Sequence, residues 1–118
     1  MNTETQQDIA QIEITMEQAK MSIDKMEALI RLENHPDWKL IIGNGYFEKE
    51  AIRLVALKAD VQMQGDNEQR DVLRQIDAIG SVREYLRSIY YFGRTSENSL
   101  AADRETHTEL LNEDVTNG

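Results

Sequence analysis

The sequence predicts an all-α protein: a long antiparallel helical hairpin, coiled-coil-like, with two shorter helices at one end. Three observations predict it. Seven residues near the start (Ile9, Ile12, Met16, Ala19, Ile23, Met26 and Ile30) recur at alternating steps of three and four, the seam of a helix laid lengthwise on another helix. A second dense stripe runs through Val72, Leu73, Ile76, Ile79, Val82, Leu86, Ile89 and Tyr90. The single proline is Pro36, and four of the six glycines (Gly43, Gly45, Gly65, Gly80) lie mid-chain, which leaves long stretches free of helix breakers. A strand reading fails, because no period-two alternation is sustained. The one hairpin signal, Asn44-Gly45, lies between runs of helical pattern.

The first helix is expected over residues 4–34. Thr3 or Thr5 supplies a cap, and Glu4 and Asp8 suit the positive end of the helix. His35-Pro36 stops it, since a residue before proline is pushed out of the α region. Its length is then about 45 Å at 1.5 Å per residue. Ile14, Met21 and Leu29 lie off the strict seam and widen the apolar face. A short helix follows over 37–43, with Asp37 as cap or Pro36 at its first position. Gly43-Asn44-Gly45 reads as a break. A third helix is expected over 46–62, with apolar residues Phe47, Ile52, Leu54, Val55 and Leu57 at mixed spacing. Gly65-Asp66-Asn67 makes a turn and cap.

The last helix is expected over 67–112. Gly80 inside its stripe costs about 1 kcal/mol relative to alanine and permits close helix approach. Beyond Phe92-Gly93 the pattern thins to Leu100, Leu110, Leu111 and Val115, so a break is expected near Gly93–Asn98 if anywhere. The tail 113–118 is expected to fray. The 118 residues suffice for one helical domain, 1–118.

The net charge is −9 and the pI about 4.6. Such acidity disfavours direct nucleic-acid binding, which needs a basic face for phosphates, and docking on anionic membranes. Residues 1–36 and 94–118 are each net −4, residues 66–93 net −1, and residues 37–65 hold four acids and four bases. Antiparallel pairing would thus join two acidic ends and leave a near-neutral aromatic end. There is no cysteine, which excludes disulfide and thiol chemistry. The start MNTETQQDIAQ lacks the pattern of a secretory signal, and no apolar stretch approaches a membrane span. A soluble intracellular protein is expected.

No catalytic, cofactor or metal signature emerges. His35 and His107 are the only histidines and fall at opposite ends of the expected hairpin; His107 reads as a solvated helix residue. No HExxH, Glu-x-x-His pair or calcium loop is present. Gly43-Asn44-Gly45 lacks the spacing and the following Lys-Ser/Thr of a phosphate loop. Serines 22, 81, 88, 96 and 99 have no nucleophile motif around them, and Glu48 and Glu50 do not share a helix face.

Candidate binding residues are therefore aromatic. Trp38, Tyr46 and Phe47 fill the corner where the short helices fold back, or form a recognition tip. Tyr85, Tyr90, Tyr91 and Phe92 cannot all face one side, since Tyr90 and Phe92 point about 200° apart on a helix. Some of these rings must be exposed or covered by a partner. Trp38, Tyr46, Phe47, Tyr90, Tyr91 and Phe92 are the expected interaction anchors.

The segment from His35-Pro36-Asp37-Trp38 through Gly43-Asn44-Gly45-Tyr46-Phe47 to Ile52-Arg53-Leu54-Val55 resembles a stretch of small acidic all-helical proteins of tailed bacteriophages. The run Leu73-Arg74-Gln75-Ile76-Asp77-Ala78-Ile79-Gly80, continued to Leu86, is similar to them too. The likeness extends over residues 10–111 and is one of pattern. It implies a virion assembly or accessory role, in keeping with virion-structure gene clusters, and carries over no functional residue. The expectation is a non-enzymatic protein with no cofactor, docking through helix faces on itself or on other virion proteins. Its place would be the host cytoplasm during infection or the virion. The alternative is an acidic inhibitor of a host nucleic-acid-binding protein.

Overall fold

A computed structural model describes residues 3–117; Met1, Asn2 and Gly118 lie outside it, as does the side chain of Asn117. The described chain is all-α. Helix α1 spans Thr3–Glu33 and helix α2 Pro36–Trp38; a π-helix covers Lys39–Glu50 and leads directly into α3, Ala51–Ala59. A 3-10 turn at Val61–Met63 precedes α4, Asp66–Asn117. The chain forms two compact units: residues 1–27 with 89–118, and residues 28–88.

The first unit is an antiparallel hairpin of α1 and the C-terminal part of α4. Three pairings set its register. Thr5 Oγ1 donates to Glu113 Oε1 at 3.4 Å, His107 Nε2 lies 3.0 Å from Glu13 Oε1, and Met26 packs on Gly93. The α1 seam is the one the periodicity predicts: Ile9, Ile12, Met16, Ala19, Ile23 and Met26 are all buried or half-buried. Thr5 extends this seam by one step instead of capping the helix; it lies inside α1 and is 3% exposed.

α4 runs unbroken through Gly93–Asn98 and on to Asn117, past the expected end at 112. The reason lies in its seam. Gly93, Ser96, Leu100, Asp103, His107, Leu110 and Asp114 are buried or half-buried at steps of three and four. The heptad spacing therefore persists where the apolar residues run out. Gly93 is buried against Met26: a Cβ there would lie only 2.8 Å from Met26 Cγ. Here glycine admits a closely approaching helix.

In the second unit the core is Leu54, Val72 and Ile79, with Tyr46, Phe47, Ala51, Leu57, Met63 and Ile76 packed around them. Pro36 occupies the first turn of α2, and His35 Nδ1 accepts from the Asp37 N–H at 3.1 Å, so His35 is the cap instead of Asp37. Gly43-Asn44-Gly45 does not break the chain into helices over 37–43 and 46–62; helical backbone continues through it. No residue among these has a positive φ. The i→i+5 bonds of a π-helix close a turn of more than four residues. Residues spaced by four then stay in line, and Trp38, Ile42, Tyr46, Glu50 and Leu54 form one half-buried to buried row, with Gly43, Phe47 and Ala51 beside it. An α-helix would spiral such rows away from the core by about 40° per step. Gly45 fits the wide turn because a Cβ there would lie 2.8 Å from the Leu40 carbonyl oxygen.

The turn after α3 is tied by side-chain amides. Gln64 Nε2 donates to the Lys58 and Asp60 carbonyls, and Gln69 Nε2 to those of Lys58 and Met63, at 2.7–3.0 Å. The bonds to Lys58 satisfy a carbonyl that the end of α3 leaves open. Asp60 caps the 3-10 turn by accepting from the Gln62 N–H at 2.8 Å.

Candidate functional site

The six aromatic candidates fall in different surroundings. Tyr46 and Phe47 are half-buried on the core of the second unit, their ring centroids 5.6 Å apart. The Arg83 guanidinium sits 5.4 Å from the Phe47 centroid, within cation–π range. Burial and that contact tie these two rings to the packing of α3 on α4. Trp38 is half-buried and lines a shallow groove of about 320 Å³ with Leu32, His35, Asp37, Ile41 and Ile42. Tyr90 is half-buried in the first unit, whereas Tyr91 and Phe92 are more than half exposed and meet edge to face at 5.4 Å. The structure brings Tyr46 to Phe47 in the second unit and Tyr91 to Phe92 in the first.

Polar groups converge most in the hairpin. His107 is not solvated as its sequence context suggests. Its side chain is 22% exposed and pairs with Glu13 across the seam. A groove of about 350 Å³ beside that seam is lined by Asp8, Gln11, Ile12 and Thr15 of α1 and Asp103, Thr106 and Leu110 of α4. Asp103 Oδ2 and Asp114 Oδ1 are buried without a hydrogen-bond partner among the described residues. Among the described residues, no group of three or more His, Asp or Glu is placed to hold a metal ion.

The charge divides as the packing does. The hairpin unit holds twelve acids and four bases, net −8, and the second unit ten acids and nine bases, net −1. Several bases of the second unit sit in local pairs, Glu50–Arg53 and Glu84–Arg87 among them. Hydrogen bonding to Arg53 holds the Glu50 carboxyl below its usual range, and Glu50 in turn raises Arg53. Exposed pairs of this kind are screened by solvent and add little to stability.

The sequence reading missed the outer side of α3. Leu54 is 1% exposed, yet Ile52 and Val55 of the same helix are 69% and 63% exposed. Ala56 and Ala59 are exposed with them. The signal was present as two superposed stripes: Ala51, Leu54 and Leu57 inward, and Ile52, Val55, Ala56 and Ala59 outward at i, i+3, i+4 and i+7. Read as one set they look like irregular spacing. In the π-helix, Leu40, Asn44 and Glu48 carry the outer row back at four-residue intervals, all exposed.

Among the described residues no helix is long and apolar enough to cross a membrane. Comparison with family models, with curated proteins and with solved structures finds no match to this chain.

Proposed function

We propose that this chain is a non-enzymatic helical contact protein that works by presenting helix faces to other proteins, in the assembly or accessory machinery of a tailed-phage virion. The observation that carries the docking role is the set of large apolar side chains left exposed at helical spacing. Leu40, Ile52 and Val55 form one such row and Tyr91 and Phe92 on α4 an exposed ring pair, within a wider set that includes Met21, Ile41, Val61, Tyr85 and Val115. Clustered exposed apolar groups of this kind mark interaction sites. The virion setting rests on the sequence resemblance alone.

The test follows a tagged chain through a productive infection by the phage that encodes it. Co-sedimentation with head or tail precursors, and a drop in virion yield when its gene is deleted, are the expected results. Recovery only in soluble complexes with a host nucleic-acid-binding protein would instead favour the inhibitor reading. That second reading draws on one observation, the concentration of net −8 in the hairpin unit. It requires an association that weakens steeply with salt.

A further inference from the structure

The geometry points to a second copy of this chain as the occupant of the outer face of α3. This deepens the docking role proposed above and rests on it, naming the partner of one surface.

α3 is apolar on opposite sides. Its inner side is buried in the Leu54, Val72 and Ile79 core, and its outer side presents Ile52, Val55, Ala56 and Ala59. Exposed Arg53 and Lys58 lie between the two sides, so the outer one is a separate apolar stripe, the pattern of a helix face that packs on a partner. Three features select a second copy over a foreign protein.

The first is shape. Along the outer stripe the large residues, Ile52 and Val55, come first and the small ones, Ala56 and Ala59, follow. Antiparallel pairing about a two-fold axis between Val55 and Ala56 sets Ile52 against the partner's Ala59 and Val55 against the partner's Ala56. Each large side chain meets a small one, the alternation that lets facing helices interdigitate. The stripe is thus self-complementary, which is what an isologous interface demands.

The second is charge. Two copies of a protein of net −9 repel, least so where their own charge cancels. Residues 37–65, which contain this face, hold four acids and four bases, whereas the hairpin unit is net −8.

The third is area. Ile52 and Val55, each about two-thirds exposed, offer roughly 100 Å² of apolar surface apiece. With the two alanines and their flanks the pair of copies would bury roughly 700 Å² in all, the scale of a weak, transient contact. A reversible dimer with a Kd of about 10 µM, not an obligate one, is the scale this implies.

Sedimentation velocity from about 1 µM to about 500 µM tests it, a range that brackets the affinity expected for so small an interface. The expected mass rises from near 13.6 kDa toward twice that value. Val55→Glu and Ala56→Lys, both at exposed sites, should keep the helical circular dichroism and each weaken dimerisation about tenfold or more. Mixing the two variants should restore a heterodimer, because the register places position 55 against position 56. A wild-type chain that stays monomeric overturns the inference and leaves the face to a foreign partner. So does a dimer indifferent to both substitutions, or variants that each dissociate but do not recover on mixing. Loss of dimerisation only on Met21→Glu would place the interface on α1 instead. None of these outcomes depends on whether the chain travels with virion particles, so the two tests fail separately.

Discussion

The two compact units bury helices by opposite means. In the second unit a small apolar cluster, Leu54, Val72 and Ile79, is ringed by partly buried aromatic and aliphatic side chains. In the hairpin unit an apolar seam on α1 meets a seam on α4 that carries Gly93, Ser96, Asp103, His107 and Asp114 among its buried and half-buried positions. The first arrangement gains stability from area removed from water. The second relies on close approach at Gly93, on cross-seam polar pairs, and on a spacing that stays regular while its chemistry changes. Buried carboxylate oxygens without partners cost stability, and the two facing segments add mutual repulsion. Of the two units, the hairpin carries the larger net charge, so its stability should respond more to salt.

The largest expected effect breaks the apolar side of this contrast. Leu54→Ala should destabilise by about 3 kcal/mol, combining lost transfer energy with a residual cavity. Denaturant unfolding measures it. Hydrogen exchange should show the loss first in residues 28–88, and equal loss of protection in residues 3–27 would contradict the division.

The next effect compares two glycines of one helix. A methyl group on Gly93 would meet the Met26 side chain, whereas one on Gly80 meets nothing within 4 Å. Gly93→Ala should therefore cost about 2 kcal/mol by forcing the helices of the hairpin apart. Gly80→Ala should stabilise by up to about 1 kcal/mol through helix propensity. Opposite signs in thermal unfolding sharpen the comparison; equal signs would mean that Gly93 is not at a close approach.

Asp103→Leu tests the polar seam. If the partnerless oxygen is a liability, apolar replacement stabilises the hairpin by roughly 1 kcal/mol. Destabilisation would show that Asp103 holds the register.

The smallest effect is electrostatic and belongs to the second unit. Arg53 lowers the Glu50 carboxyl below its ordinary 4.5, so the pair adds to stability above that pH. The contribution is lost as the pH falls through the folded value. The stability difference between wild type and Glu50→Gln should therefore shrink on acidification below pH 4.5. Because the pair is solvent-exposed, the whole difference should be small and fade in high salt.

The elements that were legible in the sequence are those in which chemistry and spacing coincide. The α1 seam from Ile9 to Met26 is visible because each seam position is apolar. The α4 seam beyond Gly93 was not, because burial there falls on Ser96, Asp103, His107 and Asp114, which hydropathy scores as surface. The π-helix escaped for another reason. Gly43-Asn44-Gly45 carries the local signature of a turn, and only the four-residue spacing of Trp38, Ile42, Tyr46, Glu50 and Leu54 argues for a continuous wide turn. Of the aromatic candidates, residue type alone could not separate Phe47, held under Arg83, from the exposed Tyr91 and Phe92. The outer face of α3 is hidden in the sequence because its stripe interleaves with the inner one, and hydropathy alone does not separate them.

The π-helix has a mechanical consequence. An α-helix advances about 100° per residue, and the wider turn advances less. Over the twelve residues Lys39–Glu50 the lag accumulates to roughly 150° relative to an α-helix of the same sequence. The winding of this segment therefore acts as a phase setting for everything downstream. In its present state it points Leu54 inward and Ile52 and Val55 outward; rewound as α-helix, the same residues would nearly exchange places. Which side of α3 belongs to the interior is thus encoded upstream of α3, in the pitch of the chain that delivers it.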